Sequence, residues 1–464
     1  MAEAQRLIEE PSPLGEGRER VQSKESPIVV IGAGAAGIMA AYRAAELGAS
    51  VVLLEKTERV GTKILISGGG KCNITHAGPI EDVLKEFRPN EARFIRPACY
   101  RWTNEQAVAF LTERGLRVYT RDNGRVFPVD QTAKDVVHIL QQRLDEVGVE
   151  TRLNTPVLGI ERDEHGVCGV RSGSPLPSGG EGSGVRGQLI ETRRVVLAVG
   201  GSSYPKSGTT GDGFPWAEHL GHTIVKVRAA LAPIALTETK WRQYSGVALR
   251  DCTLKARQNG KEVNRWRDDL LFTHFGISGP TALGISREVA EAFERGKVEI
   301  EVDVCPDRTF ESLTADLLAY AEKHPKRRVA TYLDGLLPSR LVEEMLHDAG
   351  IATDTEFNKL TRAGRNRLVE CLKGWRLGLV KDPMLDKGEV VAGGIALDEV
   401  DPQTMRSLRC PGLFLCGEAL DVAGPVGGYN LQAAFSTGYV AGEAAALGVP
   451  SCAKLTEPGI PRSE

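Results

Sequence analysis

The turn Gly32-Ala33-Gly34-Ala35-Ala36-Gly37 constrains this chain more than any other feature. A short β-branched run at 27–31 leads into it, and a segment of helical composition, 35–47, leaves it. Residues 49–55 read as a second strand. The order strand, Gly-rich turn, helix, strand is a βαβ unit. In such a unit Gly32 makes the tight turn, Gly34 lets the backbone approach a pyrophosphate, and Gly37 lets the helix pack close to the strand. Ala35 and Ala36 open the helix, whose free N–H groups face the phosphates. Glu55 closes the second strand at the distance that suits the ribose hydroxyls of an adenosine. With Lys56 beside it, this unit reads as a dinucleotide site.

A turn of this kind does not separate FAD from NAD, but later segments do. Residues 61–73 run Gly-Thr-Lys-Ile-Leu-Ile-Ser-Gly-Gly-Gly-Lys-Cys-Asn. Three consecutive glycines carry an entropic cost, which a backbone passing close to a bulky planar ligand explains. Lys63, Gly68, Gly69, Gly70, Lys71 and Cys72 are therefore assigned to the cofactor, as is Val157 on a later strand. Near the C-terminus, Leu413-Phe414-Leu415-Cys416-Gly417-Glu418 is a strand running into a Gly-acid pair. A second Gly-rich stretch, with Gly427, Gly428, Tyr429, Asn430 and Leu431, opens the last helix. This pair of features resembles the second FAD motif of glutathione-reductase-type flavoproteins. There the helix N-terminus faces the flavin edge where negative charge collects on reduction. Val199-Gly200-Gly201 resembles the Ala-Thr-Gly-Gly segment of the same class.

Charge and composition exclude several classes. There are 58 Lys and Arg against 61 Asp and Glu, so no global nucleic-acid signal is present. The densest basic clusters are 324–328 and 362–367. Nine cysteines without metal-ligand spacing argue against a disulfide framework and against structural zinc. No stretch approaches the ~18 apolar residues of a membrane span. Residues 1–26 lack an apolar signal core and read as a disordered extension of a cytoplasmic protein.

The blocks VIGAGAAGIMAA, KILISGGGKCN, RVFPVDQTAKDVV, LLFTHFGISGP, VVAGGIALDEV and GLFLCGEALDVAGPVGGYNLQAAFSTGYVAG together resemble one bacterial flavoprotein family. It is described as aminoacetone-oxidase-like, NAD(FAD)-utilising dehydrogenase-like, or BaiN/RdsA-type. The resemblance covers about 27–447, and 391–394 departs from its usual Thr-x-Gly-Gly. It implies an α/β fold, a Rossmann-like FAD-binding domain of glutathione-reductase type interrupted by a β-rich domain and a helical domain. On this chain the FAD-binding domain becomes 27–203 with 386–447, carrying a flexible insertion at 172–187. The β-rich substrate domain becomes 204–305, the helical domain 306–385, and 448–464 a tail.

The resemblance also implies reduction of activated C=C bonds, in conjugated ketones or in uracil of ribosomal RNA. Hydride would come from reduced FAD and a proton from a protein acid. Cys72 and His274 are the catalytic candidates and Tyr204 a weaker acid candidate; Lys71 is expected to complement the reduced flavin or a phosphate, and Asn430 to contact the flavin or cap the last helix. Only one dinucleotide fingerprint is present, so NAD(P)H is expected as a transient reductant without a domain of its own. The expected partner is a small molecule or ribosomal RNA, with no metal and no membrane. The competing readings are an FAD-dependent oxidase and a non-catalytic flavin-binding protein.

Overall fold

The computed structural model describes residues 26–174 and 186–448. The expectations for the N-terminal extension, the interior of the 172–187 insertion and the C-terminal tail fall outside them.

The nucleotide-binding half is built on a five-stranded parallel sheet. Its spatial order is Leu413–Leu415, Val195–Leu197, Ile28–Ile31, Val51–Leu54, Glu150–Arg152. The register places Val29 beside both Val195 and Val52. The central strands are buried along their whole length, which is why they read as unbroken apolar runs. Helices Ala35–Glu46 and Tyr429–Leu447 pack together against this sheet. A Cβ on Gly438 would lie 2.2 Å from the Ala36 carbonyl oxygen, and one on Gly442 2.1 Å from that of Ala40. Glycine at these two positions therefore sets the contact distance between the first and last helices. Helix Ala133–Glu146 begins at Thr132, whose hydroxyl accepts from Lys134 N–H while the Asp135 carboxylate accepts from Thr132 N–H.

The other half is a closed antiparallel barrel. Its strands, in spatial order, are Ile234–Leu236, Gly276–Ser278, Lys261–Phe272, Ala248–Gln258, Glu299–Asp303 and Trp375–Asp382. The last of these lies within the segment expected to be helical, 306–385. The helices Phe310–Lys323, Ser339–Asp348 and Arg362–Gly374 pack outside the barrel. Their Leu317, Met345 and Leu372 belong to one apolar core with barrel residues Phe272 and Trp375 and with Trp241 of the 239–244 turn. The β-rich and helical segments thus share a core, because the sixth barrel strand can be supplied only after the helices.

Two adjacent strands join the halves. Ile224–Ala230 leaves the nucleotide-binding half and Val390–Ile395 returns to it, paired antiparallel. Ion pairs hold the halves together on either side. Arg88 bonds Glu288 (3.0 Å) and Glu291 (2.8 Å), Arg287 bonds the buried Glu91 (2.5 Å), and Arg125 bonds Asp268 (3.1 Å).

Candidate functional site

A cavity of about 600 Å³ runs along the C-terminal edge of the parallel sheet and is walled on its far side by the barrel. Ligands in open α/β sheets bind at this edge.

At one end the wall is the Gly-rich turn. Gly32 has φ +96°, and its missing Cβ would sit 2.6 Å from the Ala198 carbonyl oxygen. Gly34 caps the first helix without any side-chain hydrogen bond, and its missing Cβ would meet nothing within 4 Å. That open space beside uncapped N–H groups fits a pyrophosphate. Ala35 and Ala36 are on the wall. Gly37 is not; a Cβ there would lie 1.8 Å from the Gly32 carbonyl oxygen, so its role is packing. The Glu55 carboxylate accepts from Ala33 N–H and Thr57 N–H, both at 2.8 Å, which fixes it at the cavity with lone pairs free for ribose hydroxyls. Lys56 bonds Asp212 and Thr210, and Val157 lines the same end.

The other end gathers distant segments. In the 64–70 turn Gly68 and Gly69 adopt φ +57° and +67° and reach the wall. Lys63 donates to Glu418 Oε2 (2.5 Å) and to Ser203 (3.1 Å), and Glu418 Oε1 accepts from Val391 N–H. Val199, Gly200, Gly417, Gly427, Gly428, Asn430 and Leu431 also line the cavity. Gly428, at φ +91°, caps the last helix, again with no side-chain hydrogen bond. Two uncapped helix N-termini thus face one cavity, a charge arrangement suited to a dinucleotide with anionic groups at both sites. Asn430 ties down the approach to this helix by bonding both Gly424 N–H and its carbonyl (2.8 Å each).

Both catalytic candidates from the sequence lie elsewhere. Cys72 is fully buried, is not on the wall, and has its thiol pushed up to about 12 by burial. Its φ of +59° places the side chain in the core, against the expectation that it faces the flavin. His274 is exposed on the tip between barrel strands, edge-on to Phe275, and is not on the wall. Gly70, Lys71, Gly201 and Tyr429 are also off the wall, as is Tyr204. A Cβ on Gly201 would lie 2.3 Å from Val391, and Tyr429 stacks on His76. Neither basic cluster, 324–328 or 362–367, reaches the cavity.

The sequence reading missed the barrel-facing end of the wall. It is formed by Arg121, Arg125 and Phe127 on one hairpin, by Leu271, Pro280 and Leu283 from the barrel and its helix, and by Leu231, Glu389 and Val390 at the two joining strands. Glu389 donates its backbone N–H to the Leu231 carbonyl (3.0 Å). Its side chain borders the open cavity, so it has accessible surface, yet protein surrounds the site. That low-dielectric setting raises its carboxyl above the usual range, with Lys63 pulling the other way. No sequence signal distinguishes Glu389 from other acidic loop residues.

Residues 26–444 match the HI0933-like protein Rossmann domain. A ribosomal RNA dihydrouridine synthase of Haemophilus influenzae is 30% identical over 421 residues, covering 90% of this chain and 98% of that protein. A 3-dehydro-bile acid delta(4,6)-reductase of Clostridium scindens is 29% identical over 422 residues, with 90% and 98% covered. A second ribosomal RNA dihydrouridine synthase, from Escherichia coli, is 29% identical over 414 residues, with 89% and 96% covered. Within the described residues no helix is long and apolar enough to cross a membrane. The chain belongs to the HI0933-like Rossmann family and is the FAD-dependent oxidoreductase that its motifs resemble.

Proposed function

We propose that this protein reduces a carbon–carbon double bond conjugated to a carbonyl, as a cytoplasmic reductase that takes electrons from NAD(P)H. The observation that carries the reading is the make-up of the wall: the cavity that the cofactor motifs line is also lined by Leu271 of the barrel and by Pro280 and Leu283 of the helix that follows it. Bound FAD, once reduced, supplies a hydride to the β-carbon of such a substrate.

The chain's own residues do the rest. Glu55 and the first helix hold the adenosine half, while the Lys63–Glu418 pair and the last helix hold the flavin half. Leu271, Pro280 and Leu283 give that end of the cavity an apolar face. Relatives named for bile acid and uridine reduction support the reading, because a 4,6-dienone and uracil present the same conjugated alkene.

A uridine within ribosomal RNA is the second reading. Arg121, which is exposed on the cavity wall and has no carboxylate partner among the described residues, favours it as a phosphate contact.

Anaerobic reduction by NADH or NADPH, followed by mixing with a conjugated ketone or with uridine-containing ribosomal RNA, tests both. Flavin reoxidation with formation of the saturated product supports the assignment and names the substrate class. Reoxidation by oxygen alone, with peroxide as product, overturns it in favour of an oxidase.

A further inference from the structure

Among the described residues four carboxylates border the cavity, namely Glu55, Asp212, Glu389 and Glu418, and no His, Cys or Tyr does. Three of the four are committed. Glu55 accepts two backbone N–H groups, Asp212 is paired with Lys56, and Glu418 is paired with Lys63 and bonded by Val391 N–H. The ion pair with Lys56 also holds Asp212 below the ordinary carboxylate range. The remaining cations on the wall are placed as well: Arg125 pairs with Asp268, and Arg121 lies over the Phe127 ring. Glu389 alone makes no side-chain hydrogen bond or ion pair among the described residues.

Its position singles it out further. The strand pair 224–230 and 390–395 brings Leu231 beside Glu389, and Leu231 and Val390 form a small apolar cluster with Leu283 and Val426. Glu389 therefore sits at the junction of the two halves, where the barrel meets the segment leading to the last helix. Glu389 is exposed there and no cation among the described residues is bonded to it to hold the ionised form, and the protein packed around the cavity raises its carboxyl above the ordinary range.

We propose that Glu389 is the catalytic acid that protonates the α-carbon of the substrate. The inference rests on the double-bond reduction proposed above. Hydride from the reduced flavin forms a C–H bond at the β-carbon and moves the alkene electron pair toward the α-carbon and its carbonyl. The Glu389 O–H bond then breaks, and its proton forms the second C–H bond. The substrate gains two electrons and two hydrogens, the flavin loses two electrons, and water reprotonates the carboxylate.

The test compares wild type with Glu389→Gln and Glu389→Asp. With Gln, flavin content and flavin reduction by NAD(P)H stay at wild-type levels, while reoxidation by the alkene slows by about 10²–10⁴-fold; Asp recovers part of the loss. In D₂O the wild type delivers deuterium to one face of the α-carbon, and the residual product of the Gln variant carries it on both. Equal reoxidation rates in wild type and the Gln variant overturn the role of Glu389 while leaving the reductase reading intact. A wild type inert toward every conjugated alkene overturns the reading and the role with it.

A further readout needs no turnover. Because the folded protein binds this proton more tightly than the unfolded chain does, flavin-free wild type loses stability as pH rises from the ordinary glutamate range through the raised folded value. The Gln variant lacks this contribution, so the difference in Tm between the two shifts in favour of the variant across that window. A gap independent of pH overturns the assignment.

Discussion

The two ends of the cavity are built by opposite strategies. The end proposed for the nucleotide is walled mainly by one βαβ unit, where Gly34, Ala35, Glu55 and Lys56 are close in sequence and held by backbone geometry. The barrel-facing end takes Arg125, Leu231, Leu283, Glu389 and Val426 from five separated segments, and holds them by contact between two halves of the molecule. A dinucleotide presents the same phosphates and ribose whatever the reaction, so a local motif suffices. A substrate compartment assembled from distant segments can change its chemistry without disturbing that motif.

The comparison breaks first if the nucleotide end tolerates bulk. Gly34→Trp places an indole in the open space beside the first helix N-terminus. Overpacking costs about 1–3 kcal/mol even in cores that can adjust, and here the added group takes the volume of the ligand itself. The purified variant is expected to carry no flavin by absorbance, with the fold intact by circular dichroism. Normal flavin content would show that the phosphates lie elsewhere.

The next largest effect probes the joint between the halves. Arg287 bonds Glu91, which is 1% exposed, and also donates to the Ala423 carbonyl (2.8 Å). Arg287→Ala leaves that carboxylate buried without its partner, a loss of about 3 kcal/mol. Thermal unfolding should show a clear drop in Tm. In the folded variant flavin binding should weaken much less than turnover, since the nucleotide end keeps its own contacts. Equal losses in both would mean that the two ends are one cooperative unit.

The same contrast decides what could be read from the sequence. The place of Gly32, Gly34, Glu55, Gly417 and Glu418 on the cavity wall is legible because it follows from backbone conformation at a fixed spacing. Glu389 is not, because its place on the cavity wall comes from the pairing of strands far apart in the chain. Strand Trp375–Asp382 is hidden for a related reason. It follows helix Arg362–Gly374 without a break, and its barrel partners, Ile234–Leu236 and Glu299–Asp303, precede the helices. Cys72 misleads because a thiol after a glycine run looks available, whereas a left-handed backbone at that residue turns it into the core.

Cys72 gives a smaller effect. A fully buried thiol raised to about 12 stays protonated at neutral pH and cannot serve as an accessible acid or nucleophile. Cys72→Ala removes one buried sulfur and should cost about 1 kcal/mol in stability, with kcat/KM within about threefold of wild type. Native protein should resist alkylation at this position. A loss of turnover well beyond that, with stability unchanged, would return Cys72 to the chemistry.

The smallest effect is expected at His274. It stands on the tip joining barrel strands Lys261–Phe272 and Gly276–Ser278, exposed and edge-on to Phe275. Lys387, two residues before Glu389, lies over the same Phe275 ring. His274→Ala removes an exposed ring and no cavity contact, so stability should stay within about 0.5 kcal/mol and kcat/KM within about twofold. This variant is nonetheless the sharpest test of the barrel-facing end. If substrate draws the 273–275 tip over the cavity mouth, kcat/KM falls by tenfold or more while flavin content and Tm stay constant. The compartment would then be completed by the ligand, and the contrast between a preformed nucleotide end and an assembled substrate end would widen.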